Sequence, residues 1–321
     1  MSTLLALQKD LQQELQLMNE FAEENLKSYQ VWHHRLTLIT HMEPQLSELT
    51  KEIDFIHDSL MPDPKNYHTW AYLNWLYSTF SNLPEERGGD RFSSQSWMAE
   101  LAWCERMLDS NYRFSRSRST EGHEWLSDKV ELLSGDDKVD EHVIGRGDGR
   151  NNSAWSWRWY LVVSRKGAKL DAKTELEYAL SQIRAIPHNA SAWNYLRGIH
   201  KHFKLPLSQS LPAILPFSTT PAPSVTSSIP RKPPPVNTPA NPDTPLPVPF
   251  AIEWLADCNA EQAAAKSSSD AYADAAGLYH ELAERWDVMR KTYWRFRQTE
   301  MLRRASDLKR AESVAAAAQE A

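Results

Sequence analysis

With 321 residues, 24% of them charged, and a formal net charge of −6, the chain has no basic excess for a nucleic-acid backbone or an anionic membrane surface. Its two cysteines, Cys104 and Cys258, lack C-x-x-C spacing, which excludes a cysteine zinc cage within this chain and fits a reducing compartment. No apolar run of about 18 residues occurs and the amphipathic start is not a signal peptide, so a cytoplasmic setting is expected.

The first helical pattern is Leu4, Leu7, Leu11, Leu15 and Met18, a 3-4 rhythm that defines one apolar stripe. It leads into "LKSYQVWHHRLTLI" (Leu26 to Ile39). Leu46, Leu49, Ile53, Ile56 and Leu60 repeat the rhythm before "PKNYHTWAYLNWLY" (Pro64 to Tyr77). A third pattern runs through Leu101, Cys104 and Leu108. The segment Ser110–Gly149, rich in Ser, Arg, Asp and Gly, then reads as a surface insertion with a short helix near Trp125 to Leu133. "RNNSAWSWRWYLVV" (Arg150 to Val163) follows. Leu176, Leu180 and Ile183 precede "PHNASAWNYLRGIH" (Pro187 to His200).

Fourteen of the nineteen prolines fall between Pro206 and Pro249, so the stretch 205–250 is expected to be an extended or disordered linker. Helix returns from Ala251, and Leu278, Leu282 and Met289 lead into "MRKTYWRFRQ", a fifth, degenerate element around Tyr293 and Trp294. Residues 1–204 therefore read as helical-hairpin repeats and 251–321 as helices that complete them. Trp32 to Trp70 and Trp155 to Trp193 are both 38 residues, a period that predicts an all-α solenoid of hairpins, an α-α superhelix.

Within each element the Trp is expected to pack between hairpins, and the Asn and Ser before it (Asn66, Asn152, Ser153, Asn189, Ser191) to cap helices. The first two copies differ in charge. They carry Lys27, Tyr29, Gln30, His33, His34 and Arg35, then Lys65, Asn66, Tyr67 and His68, at predicted helix N-termini. Such a cluster reads either as an anion site, favoured by free N–H groups and the helix dipole, or as a solvated polar edge. His33 and His34 are adjacent and cannot ligate one ion together. The sequence has no H-E-x-x-H, Gly-rich phosphate loop or G-x-S-x-G elbow.

On the residues KSYQVWHHR, KNYHTWAYL, RNNSAWSWR and HNASAWNYLRGI, in that order, together with LQKDLQQELQ and MRKTYWRF, the chain resembles the α subunit of protein farnesyltransferase, shared with protein geranylgeranyltransferase type I. The resemblance implies a crescent of helical hairpins wrapped around a catalytic β subunit that holds the zinc. There the thiolate of a C-terminal C-a-a-X cysteine, on substrates such as small GTPases, attacks C1 of farnesyl or geranylgeranyl diphosphate, and magnesium accompanies the diphosphate.

Position by position, Lys27 matches the lysine that approaches the diphosphate and Tyr29 the tyrosine beside it. Gln30 matches the glutamine on the peptide carboxylate. Asn66, Tyr67 and His68 match residues lining the diphosphate side. Lys27, Tyr29, Tyr67 and His68 are thus expected to be catalytic, and Gln30 and Asn66 substrate-binding, with no metal held by this chain.

Three departures accompany the match. Ala71-Tyr72-Leu73 stands where the family has Gln-His-Arg, removing an Arg that ties the hairpin, and Ser156-Trp157 stands where it has Asn-Gln. The family also carries an earlier repeat, so helix 1 is expected to be partly uncovered. A non-catalytic repeat scaffold and a Rab geranylgeranyltransferase-type α subunit are the alternative readings.

Overall fold

The computed structural model describes residues 4, 6–7, 9–42, 44, 46–80, 97–115, 143–164, 171–218 and 245–319, in two compact units, Met1–Lys169 and Leu170–Ala321. In the first unit α1 (Leu11–Glu24) pairs with α2 (Tyr29–Met42), and α3 (Leu46–Leu60) with α4 (Tyr67–Phe80). α5 (Trp97–Leu108) pairs with α6 (Asn152–Trp159), which runs on into a wider helical turn at Tyr160–Ser164.

In the second unit α7 (Ala172–Ala185) pairs with α8 (Ala190–Phe203). Short turns follow, including α9 (Leu211–Ile214), and then α10 (Pro249–Lys266), α11 (Ser269–Glu281) and α12 (Lys291–Gln319). The architecture is all-α helical-hairpin repeat, as expected. Met18 of α1 is buried, whereas Leu17 and Phe21 face solvent.

Caps set the helix starts. Asn66 Oδ1 accepts from the N–H groups of His68 and Thr69, and Asn151 Oδ1 from those of Ser153 and Ala154. Asp171, Asn189 and Ser268 do the same for α7, α8 and α11. Each cap satisfies amides that a helix leaves unpaired in its first turn.

The four repeated tryptophans are buried, and each indole N–H donates to the carbonyl six residues earlier. Trp32 reaches Leu26 at 2.8 Å, Trp70 reaches Pro64 at 2.9 Å, Trp155 reaches Gly149 at 2.8 Å and Trp193 reaches Pro187 at 2.8 Å. Two of these carbonyls also accept from the capping Asn of the next hairpin. Asn66 Nδ2 lies 3.1 Å from Leu26 O, and Asn151 Nδ2 lies 2.9 Å from Pro64 O. The rings pack forward as well: Trp32 meets Phe55 and Tyr72, and Trp70 meets Trp103 and Trp157. They are wedges between hairpins.

A second recurring contact is polar. Two residues after each Trp, a ring donor bonds a glutamate on the first helix of its own hairpin. His34 Nε2 lies 2.9 Å from Glu14, Tyr72 Oη 2.6 Å from Glu52, Trp157 Nε1 2.7 Å from Glu100, and Tyr195 Oη 2.6 Å from Glu175. Glu52, Glu100 and Glu175 are buried. Burial, and then the adjacent carboxylate, push the Tyr72 and Tyr77 phenols far above their ordinary pKa, so both stay protonated donors.

Arg35 of α2 adds a buried, two-pronged pair to Glu52, at 2.5 and 2.7 Å, with its guanidinium 3.7 Å over the Phe55 ring. At the corresponding place in the next copy Leu73 is fully buried. Glu100, which has no such Arg, is met instead by His57 Nε2 at 3.0 Å, Tyr77 Oη at 3.1 Å and Trp157 Nε1. The two departures at Leu73 and Trp157 therefore belong together: an indole N–H, an imidazole and a phenol replace the guanidinium.

The insertion 110–149 is not wholly on the surface. Its stem is an antiparallel ribbon of β1 (Arg113–Ser115) and β2 (Val143–Arg146), with Phe114 buried. A Cβ at Gly147 would stand 2.1 Å from the Asp109 carbonyl, so only glycine lets the ribbon close on the end of α5. The helix expected at 125–133 lies outside the described residues.

The stretch 205–250 also departs from the expected extended linker. Residues 207–217 form helical turns, and Val248 N–H donates to Phe217 O at 2.8 Å. Ile214, Phe217 and Val248 are buried, and Phe217 and Phe250 pack on Trp193. Apolar residues among the prolines find a ring to cover; residues 219–244 lie outside the described set. The fifth element is present, with Trp294 fully buried and its indole N–H donating to Asp287 Oδ2 at 2.9 Å.

Removing one partner of a buried, bonded ion pair leaves an uncompensated charge. Arg35→Ala is expected to destabilise the first unit by roughly 3–5 kcal/mol, against about 1–2 kcal/mol for Tyr72→Phe, read from the shift in urea midpoint.

His200, at the end of α8, is buried, with Nδ1 3.4 Å from Leu205 O and Nε2 2.7 Å from Ser210 Oγ. The carbonyl can only accept, so the neutral ring carries its proton on Nδ1 and accepts from the serine. Desolvation lowers its pKa below the ordinary 6.5. The unfolded ring thus binds a proton more readily, and the second unit should keep its full stability above about pH 6.5 and lose some as pH falls below it. Tm measured at low and neutral pH checks this: His200→Gln should remove that part of the pH dependence.

Candidate functional site

The turn carbonyls that hold the tryptophans also fix where the next helix begins. α2 and α4 therefore start side by side, and the residues just before and inside their first turns form one edge. Five of the six residues expected at the site lie on it. Lys27 is exposed, its Nζ 3.8 Å from Asp63 Oδ2 in the turn before α4. Tyr29 is 62% exposed and Tyr67 77%. His68 lies between them, its ring centroid 6.5 Å from that of Tyr29 and 5.7 Å from that of Tyr67. Gln30 is exposed at the start of α2, with Oε1 accepting from Ser28 Oγ at 3.2 Å.

Asn66 is the sixth, and its place is different. It is 4% exposed, with Oδ1 spent on two amide N–H groups of α4 and Nδ2 on Leu26 O and Asp63 Oδ2. Its polar atoms are committed to the cap and to the tie between hairpins, so what it does for the edge is hold His68 and Tyr67 in register.

Three further residues belong to this edge. Asp63 and Asp148 each pair with a lysine of the preceding turn, Asp63 with Lys27 and Asp148 with Lys65 at 3.2 Å. A shared Asp-x-Lys/Arg pattern (Asp63-Pro64-Lys65 and Asp148-Gly149-Arg150) was the available sequence signal. His33, one turn past Tyr29, stacks on its ring at 5.6 Å with an interplanar angle of 13°.

Chemically, the edge offers a solvated ammonium, two phenols, an imidazole and an amide, just before or on the first turns of two neighbouring helices. That set donates hydrogen bonds and positive charge toward an anion. The thiols take no part, since Cys104 and Cys258 are buried, which pushes the Cys258 pKa up to about 12. Among the described residues no three His, Cys, Asp or Glu side chains converge as a metal site, and no helix is long and apolar enough to cross a membrane.

The protein prenyltransferase alpha subunit repeat matches residues 11–42, 49–80 and 172–203, the hairpins built on Trp32, Trp70 and Trp193. Over these three stretches the chain carries the protein prenyltransferase alpha subunit repeat, and it is similar to curated α subunits of that kind. It is 26% identical over 285 residues to a Candida albicans protein farnesyltransferase/geranylgeranyltransferase type-1 subunit alpha, covering 86% of this chain and 78% of that one. It is 24% identical over 203 residues to the rat geranylgeranyl transferase type-2 subunit alpha, covering 57% of this chain but 33% of the relative. Among solved structures, Candida albicans protein geranylgeranyltransferase-I complexed with GGPP shares the fold, with a TM-score of 0.58 and 24% identity over 91% of this chain and 73% of that one.

Asn66→Ala would remove a helix cap and a bond between hairpins, and is expected to cost about 1–2 kcal/mol, lowering Tm. Tyr67→Phe, at an exposed ring, should leave Tm unchanged in the same melt.

Proposed function

We propose that this chain is the α subunit of a heterodimeric protein prenyltransferase of the farnesyltransferase/geranylgeranyltransferase type I kind, active only with a β subunit. The observation that carries the reading is that Lys27, Tyr29, Tyr67 and His68 share one exposed edge at two helix N-termini. The tryptophans and Asn66 beside them, in contrast, are buried in the fold.

In the reaction a cysteine thiolate of a C-a-a-X protein forms a thioether bond to C1 of farnesyl or geranylgeranyl diphosphate. The C1–O bond breaks and diphosphate leaves, carrying the electron pair. Charge grows on the leaving oxygens as that bond lengthens, so donors already aimed at them lower the barrier without reorganising. In this reading Lys27 supplies a cation, Tyr29, Tyr67 and His68 supply hydrogen bonds, and Gln30 supplies its amide to the peptide carboxylate. Asn66 positions His68 through the cap. The zinc that keeps the substrate sulfur as thiolate belongs to the β subunit, and magnesium accompanies the diphosphate; neither is held by side chains of this chain.

Similarity to a type-2 subunit alpha makes the substrate class part of the test. The chain would be co-expressed with type I and type II β subunits and assayed with both isoprenoid diphosphates against C-a-a-X peptides and a Rab substrate. A stable complex and C-a-a-X transfer are expected, with Lys27→Ala lowering kcat roughly 10- to 100-fold and peptide KM little changed. No complex and no transfer would overturn the reading in favour of a non-catalytic scaffold. Unchanged kcat in Lys27→Ala would overturn the role of that lysine.

A further inference from the structure

The edge contains one aromatic contact that the proposed reaction has not used. Tyr29 and His33 sit one helical turn apart on α2, and their rings lie nearly parallel, 5.6 Å apart at 13°. His68 of α4 stands near the same Tyr29 ring at 6.5 Å and 57°. Both Tyr29 and His33 are exposed, and among the described residues the His33 imidazole has no hydrogen bond or ion pair besides the stack; only its backbone carbonyl accepts, from Thr37 Oγ1. A solvated tyrosine on a helix samples several χ1 and χ2 states. A ring stacked against it on the same helix face selects among them at little cost to folding, since i and i+4 side chains already meet.

From this geometry we infer that His33 is a positioning residue: its imidazole, stacked on Tyr29, holds the phenol in line with His68 and Lys27, so that the Tyr29 hydroxyl is aimed before substrate arrives. The inference rests on the proposed prenyl transfer, in which that hydroxyl donates to the leaving diphosphate. Position is what His33 contributes, through the flat face of its ring.

The test uses the heterodimer with its β subunit, the isoprenoid diphosphate the wild type prefers, and a fluorescent C-a-a-X peptide. His33→Ala is expected to lower kcat roughly threefold to tenfold, the size of one ring–ring contact, with peptide KM and Tm unchanged. His33→Phe, which keeps a stacking ring and removes the titratable nitrogens, should restore kcat. In a Tyr29→Phe background, where no hydroxyl remains to be aimed, His33→Ala should cost nothing further.

If Tyr29→Phe lowers kcat but His33→Ala leaves it at the wild-type value, the positioning role fails and the proposed reaction stands. If His33→Phe is as slow as His33→Ala, the imidazole nitrogens matter and the stacking argument is wrong. If Tyr29→Phe itself has wild-type kcat, the assignment of Tyr29 fails, and with it the inference.

Discussion

The carbonyl oxygens of Leu26 and Pro64 each accept two hydrogen bonds, one from the tryptophan of their own hairpin and one from the asparagine that caps the next. A carbonyl has two lone pairs, and here both are used in a partly buried turn. The consequence is geometric. The tryptophan ring is fixed relative to its turn, the next helix start is fixed relative to the same atom, and the offset between successive N-termini is set by two bonds of about 3 Å. A loop could not hold such a spacing without losing the entropy of ordering itself.

Two residues past each tryptophan, a ring donor meets a carboxylate. Burying Glu52 or Glu100 without partners would be costly, and each hairpin offsets that cost with donors from rings already in the core. Glu52 has a guanidinium; Glu100 has a phenol, an imidazole and an indole. In the second unit Glu253 and Asp257 of α10 share Arg197, and Asp257 also takes Arg297 and the Tyr279 hydroxyl. Burial holds the Glu253 carboxyl above its ordinary range, while Arg197 pulls the other way. The shared device is a polar contact inside an apolar wedge, and its chemistry varies from copy to copy.

That variation explains what could be read from the sequence and what could not. Trp32, Trp70, Trp155 and Trp193 announce the hairpins by spacing, and Asn66 and Asn189 announce helix starts, whereas at the third copy the cap is Asn151 and the expected Asn152 and Ser153 lie inside the helix. The glutamate rung is hidden, because Glu14, Glu52 and Glu175 sit among the polar positions of an amphipathic pattern and pair with His, Tyr and Tyr. Its signal is a fixed separation of 20 residues between acid and ring donor, broken only at Glu100 and Trp157, where the insertion stretches it to 57. The ends of the Pro-rich stretch were missed for another reason. Composition averages over prolines that cannot join a helix interior, whereas Ile214, Phe217 and Val248 need only Trp193 to cover. At the candidate site the residue types were visible, but Asn66 shows their limit: a side chain that looks ligand-ready in sequence is spent on backbone within the fold.

The same frame accounts for the character of the exposed edge. Behind it Trp32, Trp70 and Asn66 are buried and hydrogen-bonded, so α2 and α4 are firm mounts; Tyr29, Tyr67 and His68 project from their first turns, and Lys27 from the turn just before α2. Two large phenols left more than half in water contribute little to the stability of this chain, and the weak Lys27–Asp63 pair, with an 86% exposed ammonium, contributes little more. Such an edge acquires energetic weight only when water is removed from it, because hydrogen bonds and ion pairs strengthen as the local dielectric falls. In the proposed heterodimer that removal is the work of the β subunit and the isoprenoid. What this chain contributes beforehand is alignment: donors held on two helix starts whose separation the Leu26 carbonyl has already set.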